Sequence, residues 1–441
     1  MFIGTSTVDF TGPVLIGGKG IIACNLNGEK FLDFTGQISL LNTGYAPKEV
    51  VSAIRQMAGK IHSCLSADYP YSVKIKINGA EKEVSRAALA EKLIALTSKA
   101  MPYPKKRVHF EVSGATAVNL ALKIAKITYL RKKGVKTEDF KPFFEKDIFI
   151  PSKEDDFKFS ILGFRGAFHG RHGDSQCLTN SKTKQLWAAS SSCALGRLPF
   201  PSPGIDKEQF WDKTLEIINI LEGKAPVIAF VFEPVQGEGG INVPDGELLA
   251  QLIEYLRGRG IYIIADEIQT GLGRTGAMFA CEHFNIQPDM IITSKSLGAG
   301  IPMGAVVVNA GLFPDLEPGM HSGSHHATPL AVAGAIANLD LIVEKKLCDR
   351  SFFYGSYIIK QLQNIAKGQP KIIDIRGLGL MIGIEFATAD ERDIVIANCK
   401  KHGLLLAPAG AKAIRMTPPL IVTKIQIDKA LAIFADAFSL K

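Results

Sequence analysis

Between about residues 107 and 310 the chain alternates short apolar runs with longer stretches of helical periodicity. A strand, a helix and a second strand in succession require a crossover, and repeated crossovers build a mainly parallel sheet covered by helices. The strand candidates are RVHFEV, DIFIP, FSILGF, VIAFVFEP, IYIIADE, DMIITS and AVVVN. Helices are expected at TAVNLALKIAKITYLRKK and at GELLAQLIEYLRGRG, the latter closed by Gly258 and Gly260. Ligands of such sheets bind beyond the carboxyl ends of the strands, so the residues that follow each run are where chemistry is sought.

The flanks read differently. In residues 20–34, Asn27 and Gly28 separate two short apolar runs and suit a type I′ hairpin turn. Helical periodicity occupies KEVVSAIRQMAGKI and RAALAEKLIALTSKA. After about residue 330 a long apolar helix, LAVAGAIANLDLIVEKK, leads to KIIDIRGLGLMIGIEFA, which alternates like a strand with a glycine bend, and then to an amphipathic helix, IDKALAIFADAF. The expected organisation is an N-terminal segment (1–60) that joins a small lobe, a large domain (61–330), and a C-terminal small α/β domain (331–441).

With 46% hydrophobic and 21% charged residues over 441, the chain has ample core-forming material. A formal charge of +8 favours anionic small molecules at a focusing cleft and does not require nucleic acid. The basic clusters Lys105–Arg107 and Arg131–Lys133 lack interleaved aromatics and read as solvated surface. Seven scattered cysteines with no CxxC pair fit a reducing compartment. No apolar run approaches 18 residues and the N-terminus lacks a signal-like pattern, so a cytoplasmic protein without membrane contact is expected.

Asp266 and Lys295, 29 positions apart, each end one of the apolar runs, within ADEIQTGLGRTG and PDMIITSKSLGAGIP. Singly, such an acid caps a helix and such a lysine sits in solvent. Together with glycine-rich turns they suit pyridoxal phosphate, which needs a carboxylate at its ring nitrogen and an amine to form a Schiff base and carry protons. Ser113, Gly114 and Ala115 lie between a strand and a long helix, where unencumbered N–H groups cradle a phosphate. Phe168 ends another run and can stack on a flat ring, and Arg171 three residues later can clamp a carboxylate. Gln269 follows Asp266 by three positions and can reach the ring hydroxyl, whereas Glu267 should point elsewhere. Glu233 and Glu238 lie in EPVQGEGG, where a carboxylate can hydrogen-bond its neighbours or pair with a base from another segment, though taken alone it reads as a loop acid exposed to water. His321, His325 and His326 match no zinc spacing, and no metal is expected.

At this point the chain resembles the class III (ω-amino acid) aminotransferases, closest to the 4-aminobutyrate aminotransferase branch. The resemblance runs nearly end to end through DFTGQISLLNTGY, SGATAVNLALKIAK, AFHGR, EPVQGEGG, ADEIQTGLGRTG, PDMIITSKSLGAGIPMGA and IRMTPPLIVT. It implies the type I fold of the aspartate aminotransferase kind, a Schiff base at Lys295, ring-nitrogen pairing at Asp266, Gln269 at the ring hydroxyl and stacking by Phe168. Phosphate contacts would come from Gly114 and Ala115 with Ser113 nearby, completed by a hydroxyl of a partner subunit, hence a homodimer. Arg171 would hold the carboxylate remote from the reacting amine. Glu238 and Arg415 would form a switch pair that opens for 2-oxoglutarate. The implied reaction moves the amine of 4-aminobutyrate or a similar donor to 2-oxoglutarate. Ornithine and lysine are alternative donors, and racemisation or epimerisation an alternative use of the same proton shuttle.

Two departures stand out. Val112 and Thr116 replace the asparagine and acid that usually flank SG, and the usual TFGGNP segment reads Ser324, His325, His326, Ala327, Thr328, Pro329. Ser324 keeps a hydroxyl there, but the histidines alter the wall expected to face a partner subunit.

Overall fold

The computed structural model describes residues 14–64, 70–136, 159–180, 194–317 and 319–438. At the N-terminal end, β1 (Leu15–Lys19), β2 (Ile22–Asn25) and β3 (Lys30–Asp33) form an antiparallel meander. The turn between β2 and β3 is not type I′. Gly28 alone takes a positive φ of 78°, and the Asn25 side chain accepts the Asn27 and Glu29 N–H groups to close a longer loop. The two-residue hairpin occurs instead between β4 (Val73–Ile77) and β5 (Ala80–Val84), where Asn78 and Gly79 have φ of 53° and 82°. This hairpin separates two helices that periodicity does foresee, Lys48–Ala58 and Arg86–Leu96.

The central sheet comprises β6 (Lys106–Glu111), β7 (Ser160–Phe164), β8 (Ala194–Leu198), β9 (Val227–Phe232), β10 (Tyr262–Asp266), β11 (Met290–Thr293) and β12 (Gly304–Asn309). Their order is β6-β12-β11-β10-β9-β7-β8. All neighbours from β11 to β8 are parallel, and β12 runs antiparallel to both β11 and β6. Every residue of β9 and β10 is buried, because helices cover both faces. Phe230, Phe232, Ile263 and Ile291 pack into one core, while Val231, Ile264, Met290 and Ile292 pack into another with Val118, Ala121 and Ile124 of the Gly114–Lys132 helix. The expected strand DIFIP lies outside the described residues. Strand β8 escapes sequence reading because ALGRL has little apolar periodicity.

The Gly246–Gly258 helix is capped by Asp245, whose side chain accepts the Leu248 N–H at 3.0 Å. Of the two glycines expected to end it, Gly258 is still helical, and Gly260 with φ of 76° makes the left-handed exit.

C-terminal to the Pro329–Glu344 and Leu347–Ala366 helices, KIIDIRGLGLMIGIEFA is a hairpin of two strands, β13 (Ile372–Leu378) and β14 (Met381–Phe386). After the Ala389–Lys401 helix come β15 (Leu404–Leu405), β16 (Ala407–Ala409) and β17 (Ala413–Met416), and the Lys424–Asp436 helix closes the chain. The sheet order here is β13-β14-β17-β16. Strand β15 pairs in parallel with β3, Leu404 opposite Leu32, so the N-terminal strands are joined to the C-terminal part of the chain. Among the described residues no helix is long and apolar enough to cross a membrane.

The Leu347–Ala366 helix crosses the β13–β14 turn at Gly355, where an added Cβ would lie 2.0 Å from the Gly379 carbonyl oxygen. Backbone cannot yield there as a side chain would. Gly355→Ala is therefore expected to destabilise the protein by about 1–3 kcal/mol, read as a lower urea midpoint at unchanged slope.

Candidate active site

A cavity of about 320 Å³ opens beyond the carboxyl ends of β10 and β11. Asp266, the last residue of β10, and Lys295, two residues after β11, both line it because the two strands are adjacent and in parallel register, with Asp266 opposite Ile292. Lys295 sits at φ 40°, a left-handed turn that breaks the strand.

The Asp266 carboxylate is 3% exposed. Its Oδ1 accepts the Ile268 N–H at 3.1 Å, and its Oδ2 lies 2.7 Å from His169 Nδ1. Burial alone would push the His169 imidazole down, but the Asp266 hydrogen bond and charge reverse the sign and leave it above its ordinary value. His169 is part of AFHGR, yet its partnership with Asp266 spans 97 positions and nothing local signals it. Burial lowers the Lys295 ammonium below its usual range and Arg415 adds to the effect, with Asp266 opposing. An amine shifted this way loses its proton more readily.

The other expected residues fall around the same space. Ser113 caps the Gly114–Lys132 helix, its hydroxyl accepting the Thr116 N–H at 3.2 Å, while Thr116 Oγ1 accepts the Ser113 N–H at 3.2 Å. Thus Thr116, the departure noted above, completes a capping box. Gly114 and Ala115 follow in the first turn, whose N–H groups a helix cannot satisfy internally, and both line the cavity. A Cβ on Gly114 would lie 2.7 Å from Ile268 Cδ1, so glycine lets this turn sit against the segment that carries Asp266. Phe168 and Arg171 form the opposite wall, the guanidinium 5.9 Å from the ring centroid.

Gln269, 6% exposed, links the cavity to an ion pair of buried Arg415 and partly exposed Glu238. Arg415 on β17 donates through Nη1 to Glu238 Oε1 at 2.6 Å and to Gln269 Oε1 at 3.2 Å. Arg415 Nε finds no hydrogen-bond partner among the described residues. Glu267 turns away from the cavity and accepts the Cys281 N–H and the Thr270 hydroxyl. Ser324 is exposed and does not line the cavity. Ile38, Ser39 and Tyr45 also lie outside it, and Tyr45 donates to Asp33 at 2.7 Å. Glu233, read from sequence as a loop acid, is instead a buried cavity residue that accepts the Phe168 and Gly237 N–H groups at 2.8 and 2.9 Å.

The family model for Aminotransferase class-III matches residues 13–438. The chain belongs to the class III aminotransferases. It is 31% identical over 427 residues to an acetylornithine aminotransferase of Methanosarcina mazei, covering 96% of this chain and 91% of that one. It is 31% identical over 454 residues to a probable 4-aminobutyrate aminotransferase of Bacillus subtilis, covering 98% and 94%. An ornithine aminotransferase structure from Toxoplasma gondii superposes with a TM-score of 0.79 at 25% identity, covering 99% of this chain and 92% of that one. The fold is accordingly the type I fold expected, and the enzyme is a pyridoxal phosphate transaminase acting on an amino donor and a keto acid. The cavity fits that cofactor, with a buried acid, a lysine of lowered pKa, helix-start amides and an aromatic wall around one space.

Burial pushes the Glu233 carboxyl from 4.5 up to about 7, with Asp266 adding and His169 opposing. A carboxyl whose folded pKa is raised contributes stability that is complete below its unfolded value and lost as pH rises through the folded one. Glu233→Gln removes this titration. The stability difference between wild type and variant, from urea melts, should therefore fall by on the order of 3 kcal/mol between pH 4.5 and 8. A flat difference would contradict the assignment.

Proposed function

We propose that this enzyme moves the terminal amino group of an ω-amino acid, 4-aminobutyrate or a similar donor, to 2-oxoglutarate, giving a semialdehyde and glutamate. The observation that carries the reading is the closed Glu238–Arg415 pair beside Gln269, with Arg171 left to the cavity. While Glu238 neutralises Arg415, Arg171 is the guanidinium on offer to a carboxylate, which suits a donor whose carboxylate is remote from its amine. When 2-oxoglutarate enters, Glu238 turns away and Arg415 receives the α-carboxylate. The unpartnered Arg415 Nε supports this, since a buried donor without an acceptor is costly in one state and useful in the other.

Bound pyridoxal phosphate supplies an electron sink for the pair released when a C–H bond beside nitrogen breaks. Asp266, oriented by His169 and the Ile268 N–H, would keep a proton on the ring nitrogen. Gln269 would reach the ring hydroxyl, Phe168 would cover the ring, and Ser113, Gly114 and Ala115 would hold the phosphate. Lys295 would hold the cofactor through Nζ and, when free, carry a proton from and to the amine-bearing carbon. We further propose that Ser324, exposed on its own chain, completes the phosphate cradle of a second copy and that the working unit is a homodimer. Free cysteines at the six described positions fit a cytoplasmic setting.

Ornithine is the second reading, because relatives at about 30% identity carry that name or acetylornithine. A glutamate-formation assay over 4-aminobutyrate, ornithine, acetylornithine and lysine separates these donors. Turnover of a 2-amino acid only at its α-amine, or inversion of one amino acid without a keto acid, would overturn the ω-amine reading. Lys295→Ala should abolish the visible absorbance of the lysine-bound cofactor and lower kcat by at least about 10²-fold. Arg171→Ala should lower kcat/KM for the donor by about 10–100-fold, the worth of a charge-assisted pair, mostly through KM.

A further inference from the structure

We propose that Glu111, His321 and His326 form a binding site for one divalent transition-metal ion of the zinc class, separate from the cofactor cavity. Residue spacing within HSGSHH gives no zinc pattern because the third ligand comes from β6, 210 positions earlier. Glu111 ends that strand and is 4% exposed. His321 Nε2 lies 2.9 Å from its Oε1, and His326 Nε2 lies 3.3 Å from its Oε2. The three ligand atoms are all within 4.8 Å of one another. None of the three residues lines the cofactor cavity.

Two details favour an ion over a plain hydrogen-bonded cluster. His321 Nε2 is buried and 2.9 Å from the Glu111 carboxylate, yet among the described residues it does not meet hydrogen-bond geometry. The rings of His321 and His326 are 5.2 Å apart and inclined by 29°, which turns both nitrogen edges toward the same carboxylate. Room is also kept for the arrangement. A Cβ on Gly323 would lie 2.1 Å from His326 Nε2, and the Gly323 carbonyl accepts the His326 N–H at 3.2 Å. His325 is exposed and is not part of the group.

The donor chemistry agrees. Zinc bonds of about 2.0–2.2 Å in a tetrahedron set ligands roughly 3.3 Å apart, close to the two carboxylate–imidazole separations of 2.9 and 3.3 Å. Two imidazoles and one carboxylate suit a borderline divalent cation, with a fourth position left for water or a partner-subunit ligand. The ion would clamp the end of β6, which leads into the Ser113 cap, to the turn that presents Ser324.

The test uses untagged, cofactor-loaded enzyme, stripped with chelator and titrated with Zn²⁺ and with Co²⁺ as a spectroscopic probe. We expect about one equivalent per chain, visible Co²⁺ ligand-field bands, and a Zn²⁺-dependent rise in Tm. Loss of an outer partner alone weakens metal sites by about 10–100-fold, so His321→Ala and His326→Ala should each weaken binding by at least about 100-fold and remove the Tm rise. Gly323→Ala should weaken it as well, and His325→Ala should retain it. Circular dichroism verifies that each variant is folded. Wild type taking up less than about 0.1 equivalent, binding undiminished in both histidine variants, or equal loss in His325→Ala would each overturn the proposal, whatever the enzyme's donor proves to be.

Discussion

A carboxylate taken almost wholly out of water at the end of a buried strand is the constraint on which this active site turns. Asp266 can remain there because both of its oxygens are engaged, by the Ile268 N–H and by His169. An uncompensated charge at that depth would cost several kcal/mol or be lost by protonation. His169 is itself completely enclosed, and Asp266, with help from Glu233, holds its imidazole above its ordinary value against the effect of burial. The two groups are one unit, and Glu233 and Lys295 titrate in its field. Asp266 and Lys295 share one cavity because β10 and β11 end side by side.

Much of this was readable from residues alone. Apolar runs followed by an acid, a lysine or a glycine turn mark strand ends, and strand ends of a parallel sheet converge on one space. That logic brings Ser113, Phe168, Asp266 and Lys295 to one cavity. It misses contacts set by tertiary placement. His169 and Glu111 lie in strings that look unremarkable, and their importance comes from partners 97 and 210 positions away. It also mistakes which Asn-Gly pair makes the tight hairpin. At Asn27-Gly28 the neighbouring Asn25 side chain offers the backbone another set of hydrogen bonds, whereas Asn78-Gly79 has no such competitor in its turn.

The departures from the family pattern are coordinated in space. Thr116 stands where an acid is usual and completes the helix cap, and its hydroxyl also helps hold Glu111 as a carboxylate. His321 and His326 then meet that same carboxylate from the far side. Changes that look unrelated along the chain therefore rebuild one corner of the protein, next to the phosphate end of the cofactor cavity. The chemistry at Lys295 is left alone, while the wall that a neighbouring subunit would meet is rewritten.

The parallel pairing of Leu32 with Leu404 bears on how the molecule is born. At about 5–20 residues per second, a ribosome needs roughly 20–70 s to deliver the second strand after the first has been made. Throughout that interval β3 presents an open hydrogen-bonding edge, and the meander gains its fourth strand only once residues 404 and 405 have been made. A chain truncated before residue 404 would keep that edge bare, a template for pairing with strands of other molecules.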